Sequence, residues 1–125
     1  MKCRTLVLIP MAAILALTSI GWAHEPVKLT GYVVDVMCAT DHTKDSPGDA
    51  AKFGAGHTKE CALMTECTKT GYGILVDGKW YPFDENGNEL AKAAFEKTQK
   101  KDNIKMTVEG KKHGDKILVE RITEE

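Results

Sequence analysis

At 125 residues, with 17 Lys and Arg against 18 Asp and Glu, the chain has room for one small domain. It lacks the basic excess of a nucleic-acid binder, so nucleic acid is not an expected partner. A core this small is marginal, and a disulfide or a bound metal would support it.

Residues 1–23 read as a secretory signal peptide. Lys2 and Arg4 give the positive start, Leu6 to Leu17 an apolar run broken by Pro10, and Gly21-Trp22-Ala23 the small residues that a signal peptidase reads. Cleavage is expected after Ala23, and Cys3 leaves with the signal. No cysteine stands at the cut, which argues against a lipid anchor. The apolar run is too short to span a bilayer, and no later stretch is apolar enough, so no membrane association is expected after cleavage. The expected mature chain, 24–125, keeps 15 basic and 18 acidic side chains, a net charge near −3. It is expected to be a monomer in a periplasmic or secreted location, where disulfides are permitted. His24 becomes its first residue. An N-terminal histidine can hold copper through its amine and ring when a second histidine is near, but a frayed, solvated terminus is the plainer reading.

Val27 to Met37 is rich in β-branched and aromatic residues and predicts a long strand, with a bulge or bend at Gly31. From Ala39 to Gly71 the pattern fails, and structureless loops of that length are uncommon. Short helices relieve the difficulty. Ser46-Pro47 with Asp49 predicts a capped helix ending at Gly54, and a second is expected from about Thr58 to Glu66. Tyr72 to Val76 and Lys79 to Phe83 read as a strand pair joined by a two-residue Asp77-Gly78 turn. Pro82 cannot donate to a ladder and puts the second strand at an edge.

Asn88 is expected to cap a helix from Glu89 to about Lys100, with Leu90, Ala91, Ala94, Phe95 and Thr98 on one face. Ile104, Met106 and Val108 alternate with polar residues as in a half-buried strand closed by Gly110. His113-Gly114-Asp115 makes a turn that exposes His113, and Lys116 to Ile122 is the last strand. Strand, long insertion, two strands, helix, two strands is the order of an OB-fold. The fold class is therefore mainly β with one helix, a five-stranded OB-like barrel. Its insertion, about 39–71, lies between strands 1 and 2.

The chemistry-bearing residues gather in and beside that insertion: Cys38-x3-His42, then His57-x3-Cys61-x5-Cys67. Three exported thiols cannot all pair within one chain. Residues four apart on a helix share a side, which suits both Cys38/His42 and His57/Cys61. A break near Thr65 or Glu66 would return Cys67 to them. Thiolates with imidazole suit one zinc ion, and sulfur also suits Cu(I). The preferred set is Cys38, His57, Cys61 and Cys67, with His42 as substitute. The alternative is a disulfide stapling the insertion, with one cysteine left over. Closing a loop of twenty to thirty residues contributes on the order of 3 kcal/mol. That alternative makes the protein a non-enzymatic binding module for a protein or saccharide partner.

The stretch LTGYVVDVMCATDH resembles the opening of an uncharacterised family of small exported bacterial domains. Its members carry a G-x-[IV]-x-D-x-x-C strand and a Met-Cys-Gly-x-x-His box. Here the box runs Met37-Cys38-Ala39-Thr40-Asp41-His42, with alanine at the usual glycine. Cys61 and Cys67 match the family's later cysteine pair across a longer gap. YGILVDGKWYPFD and KMTVEGKKHGDKILVERI are similar to its two strand pairs. The resemblance covers nearly all of 24–125 and implies an OB-like barrel and export. It implies no activity.

Other signals are weaker. Asp84-x-Asn86-x-Asn88 lacks the glycine and final acid of a calcium loop and reads as a turn into a capped helix. Trp80, Tyr81 and Phe83 could form a binding face, although strand aromatics are more often core. Asp35 near Cys38 could orient a ligand histidine. No nucleophile elbow, phosphate loop or HExxH helix is present, and no organic cofactor is expected. A thiol-redox enzyme is disfavoured by the lack of CxxC and of a βαβ pattern.

Overall fold

A computed structural model of the protein describes residues 24–42 and 47–125. The signal-peptide expectation for 1–23 and the Ser46 cap lie outside the described residues, as do the side chains of His42 and of residues 47–49. The strands are β1 Glu25–Asp35, β2 Tyr72–Val76, β3 Lys79–Pro82, β4 Lys105–His113 and β5 Lys116–Glu124. The helices are α1 Val36–His42, α2 Pro47–Gly56, α3 Lys59–Ala62, α4 Thr65–Thr70 and α5 Glu85–Lys97. No described helix is long and apolar enough to cross a membrane.

All five strands form one antiparallel sheet in the order β3-β2-β1-β4-β5. β1 is central and changes partner along its length. From Glu25 to Tyr32 it pairs with β4, and from Tyr32 to Asp35 it pairs with β2. Gly31 makes no bulge. Its bare Cα admits the Leu75 carbonyl, which a Cβ would meet at 2.0 Å. The bulge falls instead between Glu109 and Gly110, so β4 runs on past Gly110 to His113. The Asp77-Gly78 turn forms as expected, with φ of 49° and 79°.

Two expectations about the architecture also need correction. The expected barrel is not closed. β3 and β5 are the edges of the sheet, and among the described residues they are linked only by an isolated parallel bridge from Phe83, just past β3, to Ile117. β3 has only four residues and ends at Pro82, which has no N–H to extend a ladder. Nor is there a single helix, because the insertion between β1 and β2 folds as α1 to α4.

Alternation along β1 sends Val33 and Val34 to opposite faces, and both are buried. Val33 joins Ile74, Met106, Val108, Ile117 and Val119 in the main core, closed over by Ala91 and Phe95 of α5. Burying an aromatic ring such as Phe95 stabilises the fold by about 1.5–3 kcal/mol. Val34 joins Ala39, Ala50 and Leu75 in a smaller core under α1 and α2. Asp35 follows, where β1 is covered on both sides, and is 0 % exposed.

The α5 helix begins earlier than Asn88 predicts. Asp84 caps it, accepting from Gly87 N at 2.9 Å. The Asn88 side chain accepts from Tyr72 N at 2.8 Å instead. Of the strand aromatics, Phe83 is buried and Trp80 and Tyr81 are half-buried, so the three do not form an open binding face.

Candidate metal centre

The centre begins where β1 stops. Val36 reads as strand by composition, but Asp35 Oδ1 accepts from Cys38 N at 2.9 Å. That is an N-capping bond, and it turns the chain into α1. Cys38 is thereby fixed in the first turn of α1, over the end of the sheet. Val36 N donates to Gly71 O at 3.0 Å, so the insertion leaves and returns at one point.

The return leg supplies the second sulfur. Thr58 caps α3 through Cys61 N at 3.1 Å. The Tyr72 hydroxyl donates to Ala62 O at 2.5 Å, which takes the last carbonyl of α3. Leu63 and Met64 then turn the chain, and α4 opens at Thr65. The expected second helix is therefore two helices, broken slightly before the predicted point. Cys67, 4 % exposed, rides on α4. Outer contacts hold this part in place: Asn103 N donates to Ala55 O at 2.8 Å, Lys59 N to Lys101 O at 2.9 Å, and Lys59 Nζ to Thr98 O at 2.9 Å.

Among the described residues, Asp35, Cys38 and Cys67 present a carboxylate oxygen and two sulfurs that all lie within 4.8 Å of one another. Among the described residues the three cysteines, Cys38, Cys61 and Cys67, are free thiols. Behind the carboxylate, His57 Nε2 lies 2.8 Å from Asp35 Oδ2, with both side chains nearly inaccessible. Phe53 and Phe95 stand edge-on to the imidazole at 5.8 and 6.3 Å between centroids. His57 Nδ1 is buried and makes no hydrogen bond to a protein atom.

The electrostatics follow from burial and from one another. Burial would raise the Asp35 carboxyl, but the hydrogen bonds from His57 and Cys38 N, with the His57 charge, outweigh it and hold it at about 2. Burial, then the Asp35 charge, pushes the Cys38 thiol up to about 12. The same two causes raise Cys67, and a hydrogen bond from Cys38 partly opposes them. Three groups that are anionic when ionised thus face one another, and without a cation both thiols stay protonated. A divalent ion reverses that preference by replacing the thiol protons.

The site differs from the sequence expectation in who stands where. Cys38 and Cys67 are neighbours. Cys61 is half-buried and outside the close group. His57 stands behind the carboxylate, and Asp35, expected to orient a histidine, is in the group itself. His42 is the last residue of α1. The signal for Asp35 was its spacing, three residues before Cys38, which is the capping spacing.

Two thiols and a carboxylate can serve as three ligands of a tetrahedral ion. The two sulfurs can alternatively be oxidised to a disulfide. No family model, curated protein or solved structure gives a significant match to the chain.

Proposed function

We propose that this is an exported domain that binds one transition-metal ion, zinc in preference to copper, through Asp35, Cys38 and Cys67. The observation that carries the proposal is the convergence of one carboxylate oxygen and two sulfurs within 4.8 Å, largely out of solvent. Tetrahedral zinc with bonds of about 2.0–2.3 Å sets its ligand atoms about 3.3–3.8 Å apart, so a modest contraction suffices. The carboxylate favours zinc, since Cu(I) prefers soft thiolate and thioether ligands. His57 holds the carboxylate from behind, the usual relation of imidazole and carboxylate at metal sites with the roles exchanged. Cys61 supplies the fourth ligand, or leaves that position to water.

The frame we propose is OB-like. The strand order, the placement of α5 between β3 and β4, and the parallel bridge from Phe83 to Ile117 support it. In that frame the metal-bearing insertion occupies a loop that such domains use for binding. The apolar run at 1–23 supports export.

A second reading rests on the same sulfurs, which are near enough to become a disulfide once the thiols are oxidised. The two are separated by purifying the protein from a periplasm without chelator, then measuring bound metal and free thiols by native mass spectrometry. One equivalent of zinc with Cys38 and Cys67 protected is expected, lost in Cys38→Ser and in Cys67→Ser. One disulfide, one free thiol and no metal would sink the proposal.

A further inference from the structure

The two ends of β1 carry different chemistry. At its start, the register that pairs Glu25 with Lys112 sets His24 directly across from His113, the last residue of β4. The side chains meet there. His24 Nδ1 and His113 Nδ1 are 3.2 Å apart, the ring centroids 4.8 Å apart at 44°. Both residues are exposed. The ladder ends one residue further in, at the Glu25–Lys112 pair, and its register brings these two neighbouring side chains to the same place. The turn that follows, with Gly114 at φ 61°, ends β4 at His113.

We infer that cleavage after Ala23 completes a second metal site here, one that takes Cu(II). The inference rests on the export reading and is independent of the Asp35–Cys38–Cys67 centre. Eleven residues of strand separate the two places, about 35 Å at 3.2–3.4 Å per residue. Cleavage turns the His24 amide nitrogen into an amine. The amine and Nδ1 of one histidine then chelate a single ion, and His113 Nδ1 supplies a third nitrogen. Two nitrogens each about 2.0 Å from an ion are about 2.8 Å apart at a right angle and about 4.0 Å apart when opposite. The observed 3.2 Å falls between. Three nitrogens with open remaining positions are the donor set and geometry that Cu(II) prefers, and nitrogen sites rank copper above the other first-row divalent ions. No oxidation or transfer step is part of the inference; the site binds.

The test uses the exported protein, its N-terminus established by intact mass and its thiol centre first saturated with zinc. Cu(II) is titrated into three forms: the chain beginning at His24, the same chain acetylated at its N-terminal amine, and His113→Ala. Binding is followed by calorimetry and by electron paramagnetic resonance. The first form is expected to show one Cu(II) with nitrogen hyperfine structure. Each of the others is expected to bind more than about tenfold more weakly, a loss of at least about 1.4 kcal/mol. Equal affinity in the acetylated chain or in His113→Ala overturns the inference, and so does a native N-terminus other than His24. The zinc content of the three forms is expected to be the same, and it reports on the thiol centre separately.

Discussion

Asp35 Oδ2 accepts a hydrogen bond of 2.8 Å from His57 Nε2 across a boundary between two parts of the molecule. Asp35 ends the central strand, and His57 follows the second helix of the insertion. The pair therefore ties the insertion to the sheet at a depth that solvent does not reach.

Removing one member leaves the other buried without its partner. Breaking such a pair typically costs about 3–5 kcal/mol, so Asp35→Ala and His57→Ala are each expected to lose about 3 kcal/mol. The double variant is expected to lose less than the sum, because the two share one interaction. Urea denaturation of the metal-free protein, comparing midpoints across the cycle, checks this. Strictly additive losses would show that the pair is not coupled.

Acid should unfold the protein through Asp35. Its carboxyl titrates at about 2 in the folded protein against 3.8 for an unperturbed group. A lowered folded value means that the contribution is fully present above 3.8 and is lost as pH falls through about 2. The urea midpoint of the metal-free protein is therefore expected to fall across that window. Asp35→Asn, which has no proton to gain, is expected to show a shallower fall.

The thiols should behave in the opposite sense. Cys38 is raised from 9.0 to about 12, and Cys67 is raised with it. Their stabilising effect is present below 9.0 and is lost as pH rises through the folded value. Metal-free protein is expected to lose stability over that range. At neutral pH Cys38 and Cys67 are expected to alkylate more slowly than a peptide thiol, because the thiolate is the reactive form. Asp35→Asn removes the neighbouring negative charge and is expected to bring Cys38 ionisation to lower pH, followed by thiolate absorbance. An unmoved titration would remove Asp35 as a cause.

Gly71 is the hinge on the return leg. It sits at φ 90°, and a Cβ there would come within 2.8–3.0 Å of the Asn88 amide group. That amide is the acceptor for Tyr72 N. Gly71→Ala combines backbone strain of about 1–3 kcal/mol with displacement of that acceptor. A loss of about 2–3 kcal/mol by thermal or urea unfolding is expected, together with weaker zinc binding, because Val36 N depends on Gly71 O.

Elements whose signals are local were legible in the sequence. The Asp77-Gly78 turn follows from two residues that tolerate positive φ. Ala91 and Phe95 lie buried on the predicted face of α5, which ends at Lys97, before the expected Lys100, with Thr98 buried as its C-cap. The cysteines fall in the insertion or at its edge, as read. What failed were choices between equivalent local options. Asp84 and Asn88 can both cap a helix, and Asn88 is claimed by Tyr72, sixteen positions earlier. Val36 favours a strand, yet the Asp35 carboxylate ends it. Which sulfur meets Cys38 depends on where the chain breaks between α3 and α4. That break is marked by the Tyr72 hydroxyl on Ala62 O, a contact with no sequence pattern of its own.

The neighbours in space, Cys38 and Cys67, are 29 positions apart, while Cys61 and Cys67 are separated by six. Short loops close more readily than long ones in an unfolded chain. An oxidant that meets the chain before β1 and β2 have paired therefore captures Cys61 with Cys67, the wrong partners for the folded protein. Folding of this domain outside a reducing compartment is a race between strand pairing and oxidation. A metal ion bound as proposed, claiming Cys67 early, would decide the race in favour of the native arrangement.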